Sequence, residues 1–159
     1  MMREEVRQAL IAAGWTADRQ IDVADWVRRF ESQGFTINEP TLAAWREFGN
    51  LRVRRNSVDR PSSFLFDPID ASDGLVGRAK RLSDDYGENL SPLGMWSVQY
   101  PSYMAASGWV MAIGPGWDWE LGRTLDDMLD LVAMGLRDIK CIRVTHPGAA
   151  PFPDPTKSP

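Results

Sequence analysis

The chain has 159 residues, of which 43% are hydrophobic and 25% charged, close to the average for one soluble globular domain. One histidine and one cysteine leave almost no material for a metal site, for Ser-His or Cys-His catalysis or for a disulfide framework. Seven tryptophans are an unusually large number for this length. The composition therefore predicts a soluble domain that is not an enzyme and that binds no metal and no cofactor.

The formal net charge of −4 is unevenly distributed. Residues 61–135 hold four basic and eleven acidic side chains, whereas the segments on either side are slightly positive. Since phosphate binding requires a basic surface, this distribution argues against a nucleic-acid partner. The acidic middle segment either is a solvated face or favours a basic protein partner.

The apolar runs of the chain are short. None approaches the roughly 18 residues of a membrane span, and Glu4 and Glu5 lie where a secretory signal would be apolar. We therefore expect no membrane association and a cytoplasmic location. Cys141 lies in an apolar segment and is expected to be a structural thiol, and His146 is expected to be a solvated loop residue.

The first third of the chain predicts three short helices. In each, apolar residues follow helical spacing and a glycine, Gly14, Gly34 or Gly49, marks the end. Asp22 is placed to accept hydrogen bonds from the first amides of the second helix, and Pro40 suits the first turn of the third.

After residue 50 the spacing of apolar residues changes from the helical period to the alternation typical of strands. Residues 51–54 and 63–66 alternate as two half-buried strands joined by a polar loop. A fourth helix is predicted to be capped by Asp73 and to present Leu75 and Tyr86 on its apolar stripe.

The next predicted elements are a hairpin, a loop and a helix. The hairpin covers residues 103–113 and turns at Ser107-Gly108. Breakers and aromatic residues predict an ordered loop over 114–122. Thr124 is placed to cap the helix that follows, and Gly135 to end it.

The chain ends with a predicted strand over residues 138–144 and a proline-rich tail, residues 146–159, that is expected to be disordered. The predicted elements follow the order of an α+β protein: helices come first, strands with one inserted helix follow, and a further helix comes after them. We therefore predict a single domain over residues 1–145, with an antiparallel sheet flanked by helices.

The tryptophans divide by context. Trp26 and Trp45 have the helical spacing of core residues, and Trp15 is expected to close the same core. Trp117 and Trp119 instead alternate with acidic residues in the predicted loop, an arrangement typical of protein-binding hot spots. Packing of this loop onto the sheet is the alternative that the pattern leaves open.

Acid–base catalysis is weakly supported. The densest carboxylates, Asp126, Asp127 and Asp130, lie in the first two turns of a predicted helix, where the helix dipole favours acids. Hydrolysis of a sugar substrate would need two carboxylates flanking one cleft with separated pKa values, and closeness in sequence shows neither.

A set of residues in fixed order carries a family resemblance. It consists of Gly14, Trp15, Arg19, Asp22, Trp26, Gly34, Phe35, Phe48, Gly49, Leu51, Phe64, Phe66, Asp67, Pro68, Tyr86, Gly87, Leu90, Pro92, Leu93, Gly94, Gly108, Val110, Leu121, Gly122, Thr124, Leu131 and Gly135. With these residues the chain resembles the SUKH-3 group of the SMI1/KNR4-related immunity proteins. One departure is Asn50, where the family usually has a second glycine; asparagine tolerates the left-handed backbone of such a turn.

The resemblance implies a fold and a function. The fold is an antiparallel sheet flanked by helices. The function is that of an immunity protein of a bacterial polymorphic or contact-dependent toxin system, which binds and occludes a cognate toxin domain, nucleases being one class of such toxins. A regulatory or scaffold protein-binding domain of the SMI1/KNR4 type is the alternative.

The acidic segment and the aromatic residues together suggest the binding face. We expect a monomer or weak homodimer whose partner is a protein. The residues predicted to contact the toxin are Trp117, Asp118, Trp119, Glu120, Asp70, Asp73 and Glu88.

Overall fold

The computed structural model describes residues 2–55, 62–135 and 139–154. These residues form six helices and seven strands. In chain order the elements are α1 (Glu4–Ala13), α2 (Ala24–Glu31), α3 (Glu39–Phe48), β1 (Arg52–Arg54), β2 (Ser63–Leu65), α4 (Pro68–Ser72), α5 (Gly77–Tyr86), β3 (Leu90–Trp96), β4 (Tyr100–Ala105), β5 (Val110–Ile113), β6 (Trp117–Gly122), α6 (Leu125–Met134) and β7 (Lys140–Val144).

The strands form one antiparallel sheet in the order β1 to β7, so each strand pairs with its neighbours along the chain. Helices pack on this sheet: α3, α4 and α5 contact β3, and α6 contacts β6, β1 and β2. The α+β class predicted from the sequence is confirmed.

The helix ends follow the signals in the sequence. Gly14 ends α1 at φ 108°, a left-handed conformation that favours glycine. The carboxylate of Asp22 accepts a hydrogen bond from the Ala24 amide, and the side chain of Asn38 accepts one from the Thr41 amide. Asn50 adopts φ 69°, which confirms that asparagine serves the turn where the family usually has glycine.

The predicted fourth helix is wrong in its first turns. The chain instead forms a short helix, α4, capped by Asp67, and Asp73 ends that helix in a left-handed conformation at φ 52°. The helix α5 then begins at Gly77, which leaves Leu75 62% exposed in the connection. Asp67 followed by Pro68 is itself a helix-start signal, which explains the earlier start.

Two strands were not predicted from the sequence. The region around Pro92, which carries no strand prediction, is β3, between β2 and β4. The predicted loop over residues 114–122 is mostly β6, between β5 and β7. Both strands are buried over most of their length, so they lack the alternation of apolar and polar residues by which a half-buried strand is recognised.

The core prediction for the N-terminal tryptophans is confirmed. Trp15 and Trp45 are buried, and Trp26 packs edge-on against Trp45 with ring centroids 5.7 Å apart. The indole N–H of Trp45 donates to the Pro92 carbonyl at 3.0 Å, which joins α3 to the middle of the sheet.

Residues 145–154, called here the C-terminal segment, return onto the start of β6. The amides of Thr145 and His146 both donate to the Gly116 carbonyl, and Ala149 packs against the core. For residues 146–154 the structure therefore does not agree with the disordered tail predicted from composition. The remainder of that prediction, residues 155–159, lies outside the described residues.

Candidate protein-binding site

The residues predicted from the sequence to contact a partner lie in three places. Trp117 to Glu120 belong to β6, Asp70 and Asp73 lie in and directly after α4, and Glu88 follows α5. Three of the four β6 residues are buried, with Trp117 9%, Asp118 1% and Trp119 5% exposed, which agrees with the packing alternative that the sequence left open. The strand β6 is paired along both edges, and its burial pattern shows that both of its faces are covered over most of its length.

On one face of the sheet, the side chains of Trp96, Tyr100, Trp117 and Trp119 form what we call the aromatic cluster. The register pairs Trp96 with Tyr100. The Trp119 ring meets those of Trp96, Tyr100 and Trp117 edge-on, with centroids 5.3, 4.9 and 5.6 Å away. The indole N–H of Trp119 donates to the carbonyl of Phe152 in the C-terminal segment at 2.6 Å.

On the opposite face, Asp118 is the centre of a polar network. Its Oδ2 atom accepts hydrogen bonds from the Tyr86 hydroxyl at 2.8 Å and from Nε of Arg143 at 2.6 Å. Arg143 also pairs with Asp85 at 3.0 Å, and its guanidinium lies 4.7 Å from the centre of the Tyr86 ring. The network joins α5, β6 and β7.

Two members of this network, Tyr86 and Arg143, keep their protons near neutral pH. Burial, and then the hydrogen bond to Asp118, raise the pKa of Tyr86 above its ordinary value. Burial alone would lower the pKa of Arg143, but its hydrogen bonds to Asp118 and Asp85 outweigh that effect and raise it. Tyr86 therefore stays a donor and Arg143 stays charged, which suits a structural network better than acid–base chemistry.

Above this network lies a groove of about 430 Å³, called here the Trp109 groove. Its lining consists of Tyr86, Ser107, Trp109, Glu120, Arg123 and Ile142. The ring of Trp109 meets Tyr86 edge-on with centroids 5.3 Å apart, and its indole N–H donates to Glu88 at 2.5 Å. Glu88 also accepts hydrogen bonds from the amide and the hydroxyl of Ser107.

The groove combines two fixed aromatic rings with charged side chains. Glu120 and Arg123 line it and make no ion pair with another described residue, so both are available to a ligand. Protein-binding hot spots typically contain aromatic rings that are held in place and lie next to charged side chains.

Of the seven residues predicted from the sequence, the structure brings three to this region. Glu120 lines the groove, Glu88 holds Trp109, and Asp118 lies beneath Tyr86. Trp109 and Arg143 were not predicted as site residues from the sequence. The position of Trp109 directly after the predicted turn at Ser107-Gly108 was the available signal, whereas nothing in the sequence indicates that β7 returns Arg143 to Asp118.

Metal and redox chemistry find no further support in the described ranges. They contain no group of three or more His, Cys, Asp or Glu side chains arranged to hold a metal ion. Cys141 is half-buried in β7, and burial raises the pKa of its thiol, which agrees with the structural role expected for it. Within the same ranges, no helix has the length and apolar character of a membrane span.

Fold and site together define an α+β domain with a groove lined by aromatic and charged side chains. A model of the SUKH-3 immunity protein family matches residues 2–135, and the chain belongs to that family. Comparison with curated proteins and with solved structures gave no match. The family match ends with α6, so β7 and the C-terminal segment lie beyond it. Membership of an immunity protein family implies toxin immunity through binding of a toxin protein.

Proposed function

We propose that the protein is a cytoplasmic immunity protein of a bacterial polymorphic or contact-dependent toxin system. It binds the toxin domain of its cognate toxin, a nuclease being one class that fits, and it blocks that domain by occlusion. It performs no catalysis, uses no cofactor, contacts neither nucleic acid nor membrane, and is a monomer or weak homodimer when free.

The observation that carries the proposal is the Trp109 groove in a chain of the immunity protein family. Trp109 and Tyr86 offer aromatic surface that is already ordered, since Glu88 fixes one ring and Asp118 the other. A partner that binds there loses little side-chain freedom on this side of the interface, which favours a slow dissociation rate.

The acidic residues near the groove favour encounter with a basic partner. Glu120 contacts the partner in the groove, and the exposed carboxylates of Asp70 and Asp73 lie on the same acidic segment of the chain. An acidic surface accelerates encounter with a basic toxin cleft. Occlusion then requires only that the toxin cleft be covered, so the immunity protein needs no reactive group.

Three buried residues of β6 support the structure without contacting the partner. Asp118 positions the Tyr86 hydroxyl, and therefore the aromatic ring that lines the groove. Trp117 and Trp119 lie on the opposite face and contribute packing instead of contact in this state. Of the seven residues predicted to contact the toxin, these three are thus proposed as supporting residues.

Coexpression with the toxin domain encoded directly upstream of the gene tests the function. Cells that carry both should grow, whereas cells with the toxin alone should die. Equal killing in the two cultures would refute immunity against that toxin.

Two variants test the surface. Trp109→Ala removes the exposed edge of the groove and Glu120→Lys reverses its charge; each should weaken the complex by about 2 kcal/mol or more. Glu5→Lys makes the same charge change on α1, and because Glu5 is exposed and lines a different pocket from the groove, it should leave affinity within about threefold of the original protein. Titration calorimetry gives the affinities, and thermal melting confirms that each variant folds. Unchanged affinity of both groove variants would place the interface elsewhere, even where coexpression still protects.

A further inference from the structure

A second cavity, larger than the Trp109 groove, lies at the β1 edge of the sheet. Its volume is about 990 Å³, and residues of α1, of β1 and of the end of α6 line it. We call it the β1 groove. Its lining residues from α1 include Ala9, Ala12 and Ala13, whose short side chains leave room for an extended chain beside the strand.

The outer edge of β1 carries backbone groups that are open to a partner. In the described part of the sheet, β1 is the first strand in the order and pairs only with β2. The Arg55 amide donates to the Ser62 carbonyl. Because hydrogen bonding alternates along an antiparallel ladder, the N–H and C=O groups of Arg52 and Arg54 point away from β2. No described residue bonds to these groups, so the edge can accept a further strand.

Arginine side chains make this edge basic. Arg52, Arg54 and Arg55 all line the β1 groove, and Val53 between them is fully buried. Arg55 donates to the Leu131 carbonyl near the end of α6 at 2.6 Å, whereas Arg52 and Arg54 form no ion pair with any residue in the described ranges. A guanidinium group binds a carboxylate through two parallel hydrogen bonds. The edge therefore suits an acidic strand, and like charges would oppose its pairing with β1 of a second copy.

We propose that the β1 edge binds an extended, acidic segment of another protein by strand addition. The backbone of the segment pairs with the outward N–H and C=O groups of Arg52 and Arg54, and its carboxylates bind the guanidinium groups of the same two residues. This edge and β7 lie at opposite ends of the strand order, and the β1 groove and the Trp109 groove share no described lining residue. The proposal therefore does not rest on the proposed toxin contact.

Three synthetic peptides test the proposal on the full-length chain. The acidic probe is a short fluorescein-labelled peptide in which glutamate and valine alternate. In the neutral probe glutamine replaces each glutamate. In the blocked probe the backbone nitrogen of each glutamate is methylated, which keeps the charge and removes the donors needed for pairing. Fluorescence anisotropy gives the dissociation constants, and amide hydrogen exchange locates the bound peptide.

The acidic probe should bind at least about tenfold more tightly than either control probe, because each control lacks either the charged or the backbone hydrogen bonds. Its binding should slow hydrogen exchange at the Arg52 and Arg54 amides, which then become part of a ladder.

Variants of β1 separate charge from backbone pairing. Arg52→Gln/Arg54→Gln should weaken binding of the acidic probe by about tenfold or more. The matched control Arg46→Gln/Arg81→Gln makes the same charge change at two exposed residues that line neither groove, and should change affinity by less than about threefold. Arg54→Pro removes the outward N–H but not a donor to β2, so it should bind about threefold or more weakly than Arg54→Gln.

The same measurements can overturn the proposal. Equal binding of the acidic and neutral probes would refute the role of the arginines, and equal binding of the acidic and blocked probes would refute strand addition. If thermal melting shows that Arg54→Pro does not fold, the blocked probe alone decides the second point. Displacement of the acidic probe by inorganic triphosphate as readily as by the unlabelled peptide would identify a general anion site. A doubling of mass in analytical ultracentrifugation, lost in Arg52→Gln/Arg54→Gln, would identify a second copy of this chain as the occupant.

Discussion

Asp118 shows that burial can change the role inferred for a residue from its sequence context. In the sequence it stands between two tryptophans and suggests an exposed acidic hot spot; in the structure it is 1% exposed and paired with two donors. A buried carboxylate is tolerated only where hydrogen bonds and opposite charge replace water, and Tyr86 and Arg143 supply both. The sequence context therefore indicated an important position, but only the fold shows that Asp118 is buried and positions Tyr86 from within the protein.

Tyr86→Phe tests this network. The change removes one of the two donors to the buried carboxylate and should lower the free energy of unfolding at pH 7 by about 1–3 kcal/mol. The pKa of Tyr86 is raised in the folded state, so its contribution is complete below its ordinary pKa near 10 and is lost as pH rises above that value. Above about pH 10 the difference between the two proteins should therefore shrink.

Urea unfolding at a series of pH values measures that difference. Tyr100→Phe is the matched control, because the Tyr100 hydroxyl makes no hydrogen bond to a described residue, and it should change stability little at any of these pH values. A Tyr86→Phe variant as stable as the original protein at pH 7 would show that Arg143 alone satisfies Asp118.

At the level of elements, helices were predicted better than strands for a physical reason. A short helix carries its own start and stop signals, such as Asn38 and Thr124 at the caps and Gly14 and Gly135 at the ends. The strands β3 and β6 carry none, because most residues on both of their faces are buried and their register is set by distant partners, whereas the equally buried β4 and β5 are joined by a turn that the sequence marks. This is why β3 and β6 were missed while the hairpin around Ser107-Gly108 was found.

Gly94→Ala tests the closest approach between two of these strands. A β-carbon at Gly94 would overlap the Leu65 carbonyl oxygen of β2, which is backbone and cannot turn away. The variant should lose about 1–3 kcal/mol of stability through displacement of β2 from β3. Amide hydrogen exchange should show the loss of protection concentrated in β1 and β2, which lie beyond that contact in the sheet.

Gly77→Ala provides the opposite expectation for the same chemical change. Gly77 is the first residue of α5, and a β-carbon there would meet only the end of the Arg81 side chain at 3.7 Å. Alanine should therefore stabilise the protein by about 0.5–1 kcal/mol by reducing the freedom of the unfolded chain. Destabilisation by both variants to the same extent would mean that the β2–β3 contact is not the cause.

At the scale of the whole molecule, the sheet separates two surfaces. One face carries the aromatic cluster with the C-terminal segment, and the other carries the Asp118 network and the Trp109 groove. The sequence indicated which residue types would matter, namely tryptophans and acids. It could not indicate how they divide between the faces, because that depends on the register of β5, β6 and β7.

The acidic charge of residues 61–135 should govern the rate of complex formation. With eleven acidic and four basic residues between positions 61 and 135, the surface should steer a basic toxin domain toward the groove. The association rate constant, measured by stopped-flow fluorescence, should fall about tenfold or more between low and high salt, since salt screens exposed charges over about 10 Å at 0.1 M. The dissociation rate constant should change much less, because the aromatic contacts hold the complex. Glu120→Lys should reduce the association rate at low salt and weaken its salt dependence, whereas Glu5→Lys should preserve both. If salt changed only the dissociation rate constant, the charges would act within the interface and would not steer the encounter.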